Sequence, residues 1–324
     1  MCGCRRPGDG RRGWGMALRT IETAIVTGPT GSVGTALCAH LRAQGVAVWA
    51  VIRPDSPRAA VIPEGVRVAR CDLADLASLP ERMPGIRADA FFHLAWAGTT
   101  GAARDDADIQ LDNVRHAVDA VRAAKAMGCR VFVGAGSQAE YGPIDGPLRA
   151  DTPAFPETGY GIAKLCAGRL TRLECRKLGL DHVWTRILSV YGPYMDPSSL
   201  FTVMMRALLR GETPALTGCE QAWDFLYSGD AAEALRLCAE RGRDGAVYPL
   251  GSGVAIPLRD YVEALRDAID PALPLGFGAL PYAPGQAMRL VADISTLRED
   301  TGFEPSTPFD TGIRRTIEWM KAAL

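Results

Sequence analysis

This 324-residue chain lacks long apolar runs, cysteine pairs of the C-x-x-C type and clustered histidines. Because no apolar run approaches the ~20 residues that a membrane-spanning helix needs, we expect no membrane partner. The nine cysteines are scattered and the four histidines are well separated, so we predict no metal. Single cysteines within apolar runs are typical of a reducing compartment, and we predict a cytoplasmic location.

The chain also lacks an excess of charge of either sign. Its 36 basic and 37 acidic residues leave a net charge of −1, which argues against a nucleic-acid partner. Residues 1–20 are rich in glycine and arginine and predict a disordered N-terminal extension. A hydrophobic content of 48% predicts a globular fold for the rest, with a small molecule as the expected ligand.

Short β-rich runs alternate with segments of helical period, which predicts successive βαβ units and an α/β fold. We expect a Rossmann-type doubly wound parallel sheet over residues 21–192. A smaller, mainly substrate-binding lobe should occupy residues 193–324, with some segments returning to the sheet. Strands are predicted at 24–27, 47–52, 66–69, 90–94, 131–133 and 182–188. Helices are predicted at 33–44, 105–127, 160–178, 200–210, 230–241, 258–269 and 311–323.

A glycine-rich stretch from Thr27 to Gly34 follows the first predicted strand and opens the first helix. Glycines there permit a tight turn and let backbone N–H groups approach a pyrophosphate at the helix N-terminus. The alternative is an ordinary glycine-rich turn. We predict that the stretch binds a dinucleotide, with these contacts: Thr27, Gly28, Thr30, Gly31, Ser32, Val33 and Gly34.

Arg53 ends the second predicted strand, where the type of dinucleotide is decided. An acidic residue at this point would bind the ribose 2′-OH of NAD, whereas arginine suits the 2′-phosphate of NADP. We therefore predict NADP, with NAD as the alternative if Arg53 is only a solvated loop charge. Asp72, after the third strand, should reach the adenine edge.

Tyr160 and Lys164 lie four residues apart in a predicted helix, so both side chains share one face. A nearby ammonium favours the phenolate and should lower the pKa of Tyr160 towards the working pH. Such a phenol can exchange a proton with a substrate oxygen. The alternative is a solvated lysine beside a half-buried tyrosine.

With the glycine turn and this pair together, the chain resembles the extended short-chain dehydrogenase/reductases that act on nucleotide sugars. The resemblance implies that Ser137 hydrogen-bonds the reacting oxygen and that Lys164 also holds the nicotinamide ribose. Asn113 should support the helix or a water near the site. Further cofactor contacts are implied at Leu73, Leu94 and Ala95.

The residues after Ser137 separate the reactions of this family. The 4,6-dehydratases carry an Asp-Glu pair there, whereas this chain has Gln138 and Ala139, so we reject elimination. Glu140, the residue after Ala139, is expected to face a loop. The whole run is similar to that of reductases of 4-keto-6-deoxy nucleotide sugars. NADPH-dependent reduction is thus the first hypothesis, an NAD-dependent epimerase the second, and a non-catalytic dinucleotide sensor the third.

The family resemblance also implies a nucleotide-sugar substrate and a homodimer. Substrate contacts are expected at Gln138, Ser189, Trp223 and Arg289. Ser189 and Trp223 replace the family's usual asparagine and arginine, and Trp223 could stack on a base or belong to the core. Helices 105–127 and 160–178 correspond to the helices that commonly pair across the dimer.

Overall fold

The computed structural model describes residues 18–283 and 285–323. Most of the predicted N-terminal extension therefore lies outside the described residues. The strands, β1 to β12 in order, are Thr23–Thr27, Ala47–Ile52, Arg67–Arg70, Ala90–His93, Val131–Ser137, Asp181–Ile187, Ser189–Tyr191, Ala222–Trp223, Phe225–Tyr227, Ala246–Leu250, Ile256–Pro257 and Arg289–Leu290. The α-helices, α1 to α9, are Ser32–Ala43, Leu79–Arg82, Ala107–Ala126, Gly159–Leu178, Leu200–Leu209, Ser228–Arg241, Leu258–Ile269, Ser295–Thr301 and Phe309–Ala323.

Seven parallel strands form the main sheet in the order β10-β6-β5-β4-β1-β2-β3. The chain runs outwards in both directions from β1 and β4, which confirms the predicted doubly wound Rossmann-type fold. In such a sheet, ligands bind beyond the carboxyl ends of the strands where the order reverses. The glycine turn after β1 and the loop after β4 lie at that point.

Helices cover both faces of the sheet. Successive residues of each strand point to opposite faces, so each strand contributes apolar side chains to both cores. Val26 and Phe92 face α1 and α6, whereas Ile25 and Phe91 face α3. A separate core joins α5, α7 and α9 through Phe201, Met204, Val262, Leu265 and Ile317. The proposed boundary at residue 192 stays a prediction, but α6 and β10 beyond it belong to the main sheet and its cover.

In the main sheet, two strands differ most from the sequence prediction, both because of residues with low strand propensity, and the short strands β7, β8, β9, β11 and β12 were not predicted. The edge strand β10 was not predicted because Pro249 interrupts its apolar run, and proline is tolerated at a sheet edge. β5 runs four residues beyond the predicted 131–133, through two glycines to Ser137. A Cβ on Gly134 would lie 2.2 Å from the Trp184 ring, so the indole occupies the space that the glycine leaves.

No helix in residues 18–283 and 285–323 combines the length and the apolar character that a bilayer span requires.

Candidate active site

The turn between β1 and α1 packs too closely for side chains at two of its glycines. Gly28 has φ +69°, and a Cβ there would lie 2.7 Å from the backbone nitrogen of Ala95 in the loop after β4. A Cβ on Gly34 would lie 2.1 Å from the Gly28 carbonyl oxygen. Both glycines are therefore required by the packing of the turn against α1 and the neighbouring strand end.

The N-terminus of α1 has the properties of an anion site. Gly31 is its N-cap and has no side chain that could accept from the first N–H groups of the helix. Ser32 Oγ is buried and has no hydrogen-bond partner in the described part of the chain. A dinucleotide pyrophosphate fits this arrangement, because the helix N-terminus and the hydroxyl could both donate to it.

The other predicted residues of the turn differ in what they contact. The Thr27 hydroxyl is buried, lies 3.0 Å from His93 Nδ1 and accepts from Ala95 N at 3.3 Å, so it connects β1 to β4. Val33 packs against the core. Thr30 is half-buried in the turn itself. Thr27 and Val33 thus stabilise the turn, and the groups free to face a cofactor belong mainly to its backbone.

Two arginines lie at the ends of neighbouring strands, and Arg70 donates from Nη1 to the Pro54 carbonyl oxygen. Arg53 directly follows β2 and is exposed, and Arg70 ends β3 opposite Ile52 in the parallel register. Among the described residues, no carboxylate pairs with the Arg53 side chain. Asp72 caps the following 3₁₀ turn by accepting from Ala74 N at 3.1 Å. This corner of the sheet can therefore receive an anionic group.

The loop after β4 is held by helix α3. Asn113 is buried, and its amide accepts from Ala97 N and donates to Ala97 O, both at 2.9 Å. Trp96 in the same loop donates to Gln110 Oε1 at 2.9 Å. Leu94 packs against the core, as does Leu73 of the 3₁₀ turn. Asn113 thus positions the loop.

Ser137, the last residue of β5, lies close to Tyr160 on α4. Ser137 Oγ accepts from Ala139 N at 3.1 Å, and α4 begins just before Tyr160 with Thr158 as its cap. Burial raises the pKa of the Tyr160 phenol above its ordinary value. Ser137, by hydrogen bonding, and the Arg104 guanidinium both lower this pKa, while the Glu140 carboxylate raises it. The two hydroxyls can therefore act on one substrate oxygen.

Lys164 lies in the same site. Its Nζ donates to Ala135 O at 2.6 Å and lies 3.8 Å from the centre of the Trp96 ring, against 5.8 Å for the Tyr160 ring. Burial lowers the pKa of Lys164 to about 7, and Glu140 opposes this change. The pKa of Tyr160 is raised and not lowered as predicted, because burial outweighs the opposing effects of Ser137 and Arg104, and the role of Lys164 towards the phenol stays a prediction.

Glu140 does not face a loop, and that prediction was wrong. Its carboxylate is buried and accepts from Ser137 N at 2.9 Å, Trp184 Nε1 at 3.0 Å and Arg186 Nε at 2.8 Å. Three donors, one of them a cation, compensate for the loss of water around a buried charge. Glu140 is thereby fixed beneath Ser137.

Two predicted substrate contacts meet in a cavity of the C-terminal half. Trp223 Nε1 donates to Ser189 Oγ at 2.8 Å, and both residues line a largely apolar space of about 370 Å³. Gln221 lines the same cavity, and its buried Oε1 has no hydrogen-bond partner within the described ranges. Gln221 was not predicted, since nothing in its sequence context marks a glutamine as buried.

The remaining predicted contacts lie elsewhere. Gln138 is half-buried in the 3₁₀ turn after Ser137, close in sequence to the catalytic candidates. Arg289 is exposed on β12 and lines another surface cavity, of about 480 Å³, together with Asp293 and Arg298. The structure thus does not bring Arg289 into the cavity of Ser189 and Trp223.

Trp96 and Arg104 are functional candidates that the sequence prediction missed. Trp96 lies under the Lys164 ammonium and contacts the Tyr160 ring edge-on, with the ring centres 6.2 Å apart. The Arg104 guanidinium lies 4.4 Å from the Tyr160 ring centre. Both belong to an irregular loop whose path no local pattern predicts. In the described residues, no three side chains able to bind a metal come together.

Comparison with known proteins agrees with this geometry. The model of the NAD dependent epimerase/dehydratase family matches residues 24–251, which include the glycine turn, Ser137, Tyr160 and Lys164. The chain belongs to this family. Its members are NAD(P)-dependent enzymes of the extended short-chain dehydrogenase/reductase type, and the predicted family and enzyme class are confirmed.

The chain spans about half the length of the curated dehydratases that it matches first. A dTDP-glucose 4,6-dehydratase of Neisseria meningitidis is 26% identical over 92% of this chain and 93% of its own length. The fold is also that of a UDP-N-acetylglucosamine 4-epimerase from Methanobrevibacter ruminantium (TM-score 0.83, 24% identity, 94% and 99% of the two chains). RMD from Pseudomonas aeruginosa, solved with NADPH, has a TM-score of 0.79 at 22% identity over 94% and 100%.

Proposed function

We propose that this family member reduces a keto group, at C4, on a nucleoside-diphosphate deoxysugar with NADPH. The observation that carries the choice of reduction is the exposed Arg53 after β2, which has no carboxylate partner among the described residues, with Arg70 at the end of the neighbouring β3. Two guanidinium groups suit a 2′-phosphate, which would be repelled if a carboxylate stood in their place. RMD, with the same fold, binds NADPH.

The chain's own groups would direct a proton to the reduced oxygen. Bound NADPH would supply the hydride to the carbonyl carbon. Tyr160 Oη would give its proton to the developing alkoxide, and Ser137 Oγ would donate a hydrogen bond to the same oxygen. The phenol carries the proton that it would donate, and the Ser137 hydrogen bond, which lowers the pKa of Tyr160, makes that proton easier to transfer. Lys164 Nζ would hold the nicotinamide ribose from its position beside Ala135 O.

The environment of Glu140 argues against elimination of water. A dehydratase needs a free carboxylate to move a proton, but this carboxylate is committed to Arg186, Trp184 and the Ser137 amide. Gln138 and Ala139 carry no group that could replace it. The similarity to 4,6-dehydratases therefore extends to the fold and the tyrosine, and we do not carry their reaction over.

We assign the nucleotide part of the substrate to the cavity of Ser189 and Trp223. Apolar walls suit a base, Trp223 offers a face for stacking, and the unpartnered Gln221 Oε1 could accept from a ring or exocyclic N–H. We assign the diphosphate to Arg289, whose guanidinium suits phosphate oxygens, although it lines a separate cavity in this structure.

We further propose a homodimer formed through α3 and α4. Both helices carry large apolar side chains on the surface, namely Leu111, Ile162, Leu170 and Leu173. On α4 these residues recur at helical spacing and form one stripe. The seven described cysteines are free thiols, which supports a reducing, cytoplasmic environment.

The test is a balance of cofactor and product with a nucleoside-diphosphate 4-keto-6-deoxysugar. One NADPH should be oxidised per molecule of reduced sugar, whereas interconversion of sugars without net NADPH use would identify an epimerase instead. Tyr160→Phe should lower kcat by at least ~100-fold because the acid is lost, while Tyr194→Phe should not. Normal turnover by Tyr160→Phe would show the catalytic assignment to be wrong.

The cofactor assignment is tested separately. Arg53→Gln should lower kcat/KM for NADPH by about 10-fold or more relative to NADH, because one charge-assisted contact is lost. Arg67→Gln is the matched control, since it removes an exposed charge from the opposite end of β3. The assignment would be contradicted if Arg53→Gln kept the wild-type ratio of kcat/KM for NADPH to that for NADH. It would also be contradicted if the wild-type enzyme itself preferred NADH.

A further inference from the structure

A buried ion pair lies directly beneath Ser137. The side chains of Glu140 and Arg186 are only 1% and 3% exposed, and Glu140 Oε2 accepts from Arg186 Nε at 2.8 Å. Taking two charges out of water is costly, and a pair of apolar residues of similar volume is often at least as stable. Stability alone therefore does not explain why this pair is present.

Three glycines make room for the Glu140 carboxylate and for the Trp184 indole that donates to it at 3.0 Å. A Cβ on Gly136 would lie 2.2 Å from Glu140 Oε1 and 2.3 Å from Trp184 Nε1, so no side chain fits there. Cβ atoms on Gly134 and Gly168 would lie 2.2 Å and 2.7 Å from the Trp184 ring. The carboxylate is thus enclosed by backbone and by an indole ring, which leave it little freedom to move.

The carboxylate reaches Ser137 through the backbone. Glu140 Oε1 accepts from Ser137 N at 2.9 Å, and Ser137 Oγ accepts from Ala139 N at 3.1 Å, so the two residues cap the 3₁₀ turn Gln138–Glu140 reciprocally. A serine hydroxyl that accepts one bond still has its hydrogen to donate. The turn therefore fixes the Ser137 oxygen and leaves its hydrogen available to a substrate oxygen.

The same turn packs against the helix that carries Tyr160. A Cβ on Gly161 would lie 2.4 Å from Ala139 O, so the absence of a side chain there lets the turn approach α4. Ser137 is close enough to Tyr160 to hydrogen-bond its phenol. The distance between the two hydroxyls therefore depends on the turn, and the turn is held by the carboxylate beneath it.

We propose that Glu140 is a positioning residue that, fixed by Arg186, holds the Ser137 hydroxyl in the place where it and Tyr160 meet one substrate oxygen. The inference rests on the proposed function and deepens it, because Glu140 acts through the Ser137 amide and does not touch the substrate. Reacting groups need to be held within about 0.5 Å of their productive geometry. A carboxylate bonded at both oxygens gives that precision, whereas an apolar side chain would hold the turn by packing alone.

The experiment is a double-mutant cycle on kcat, with NADPH and a nucleoside-diphosphate 4-keto-6-deoxysugar. Ser137→Ala should lower kcat by about 100-fold or more, as the loss of an oxyanion donor does. Glu140→Met/Arg186→Met, which buries no charge, should lower kcat by about 10-fold or more through the misplaced hydroxyl. Because Glu140 acts through Ser137, the triple variant should be no more than about twofold slower than Ser137→Ala.

Two results of this cycle would overturn the inference. If the two losses multiplied in the triple variant, Glu140 would act independently of Ser137. If Glu140→Met/Arg186→Met kept the kcat of the wild type, the ion pair would have no part in positioning.

Asp300→Asn is the matched control for a general effect of stability. Asp300 on α8 is another buried carboxylate with an arginine partner, and its Oδ2 accepts from Arg243 Nε at 2.6 Å and from the Tyr248 hydroxyl at 2.7 Å. The variant should unfold at a lower urea concentration and keep kcat within about twofold of the wild type. A loss of kcat as large as that of Glu140→Met/Arg186→Met would show that kcat follows stability, against the inference.

Crystals of Glu140→Met/Arg186→Met test the inference without turnover. The distance from Ser137 Oγ to Tyr160 Oη should differ from that in wild-type crystals by more than about 0.5 Å, and an unchanged distance would refute the inference. A wild type that interconverts nucleotide sugars without net use of NADPH would refute the proposed function alone. The same cycle would then be measured on the interconversion, where the same two outcomes decide the role of Glu140.

Discussion

Gly31→Ala separates cofactor binding from the stability of the turn. Gly31 has φ −82°, which alanine adopts, and a Cβ there meets only the Gly28 carbonyl oxygen at 3.8 Å, an ordinary contact. Alanine is a poorer N-cap than glycine, so we expect the free energy of unfolding to change by less than ~1 kcal/mol. The added methyl group would point into the open space at the N-terminus of α1, where a pyrophosphate is proposed to lie.

We expect Gly31→Ala to bind NADPH more weakly, because the added methyl group would prevent N–H groups of the turn from donating to the phosphate. Hydrogen bonds to a charged group are worth about 1.5–3 kcal/mol each, so one lost bond should raise the Kd for NADPH by roughly 10- to 150-fold. Calorimetric titration gives the Kd, and urea unfolding gives the stability.

Gly45→Ala is the matched control for Gly31→Ala. Gly45 follows α1 with φ +82° and open space around it, so alanine there should cost about 1 kcal/mol of stability through backbone strain. Its cofactor affinity should stay that of the wild type. If Gly31→Ala remained stable and bound NADPH within twofold of the wild type, the turn would not hold the pyrophosphate.

The other predictions concern buried charge. Glu140→Gln should lose about 3–5 kcal/mol of unfolding free energy in urea, because Arg186 would remain buried without a counter-charge, and Glu140→Met/Arg186→Met should recover much of it. A stable single variant would contradict this account. Burial lowers the pKa of Lys164 to about 7, so the unfolded chain binds a proton there that the folded chain lacks, and stability should rise with pH above about 7. Between pH 7.5 and 8.5, the wild type should gain roughly 1 kcal/mol relative to Lys164→Met, and parallel profiles would show that the lysine stays charged.

Local sequence predicted most of the secondary structure, and the reasons are visible in particular elements. α1 and α4 follow a glycine turn and a threonine cap, and their apolar residues recur with helical period. β10 escaped prediction because a proline interrupts it, and the end of β5 escaped because its glycines are there to accommodate Trp184 from the next strand. The second exception depends on a neighbour that is distant in sequence.

The sequence alone determined the α/β class, the glycine turn and the spacing of Tyr160 and Lys164, because each depends on residues within one or two turns of chain. Only the tertiary structure decided which charges surround the phenol. It turns Lys164 towards Ala135 O, buries Glu140 against Arg186 and places Arg104 on the tyrosine ring. Spacing along a helix fixes which residues share a face, but a pKa depends on every charge and on the burial that the fold imposes.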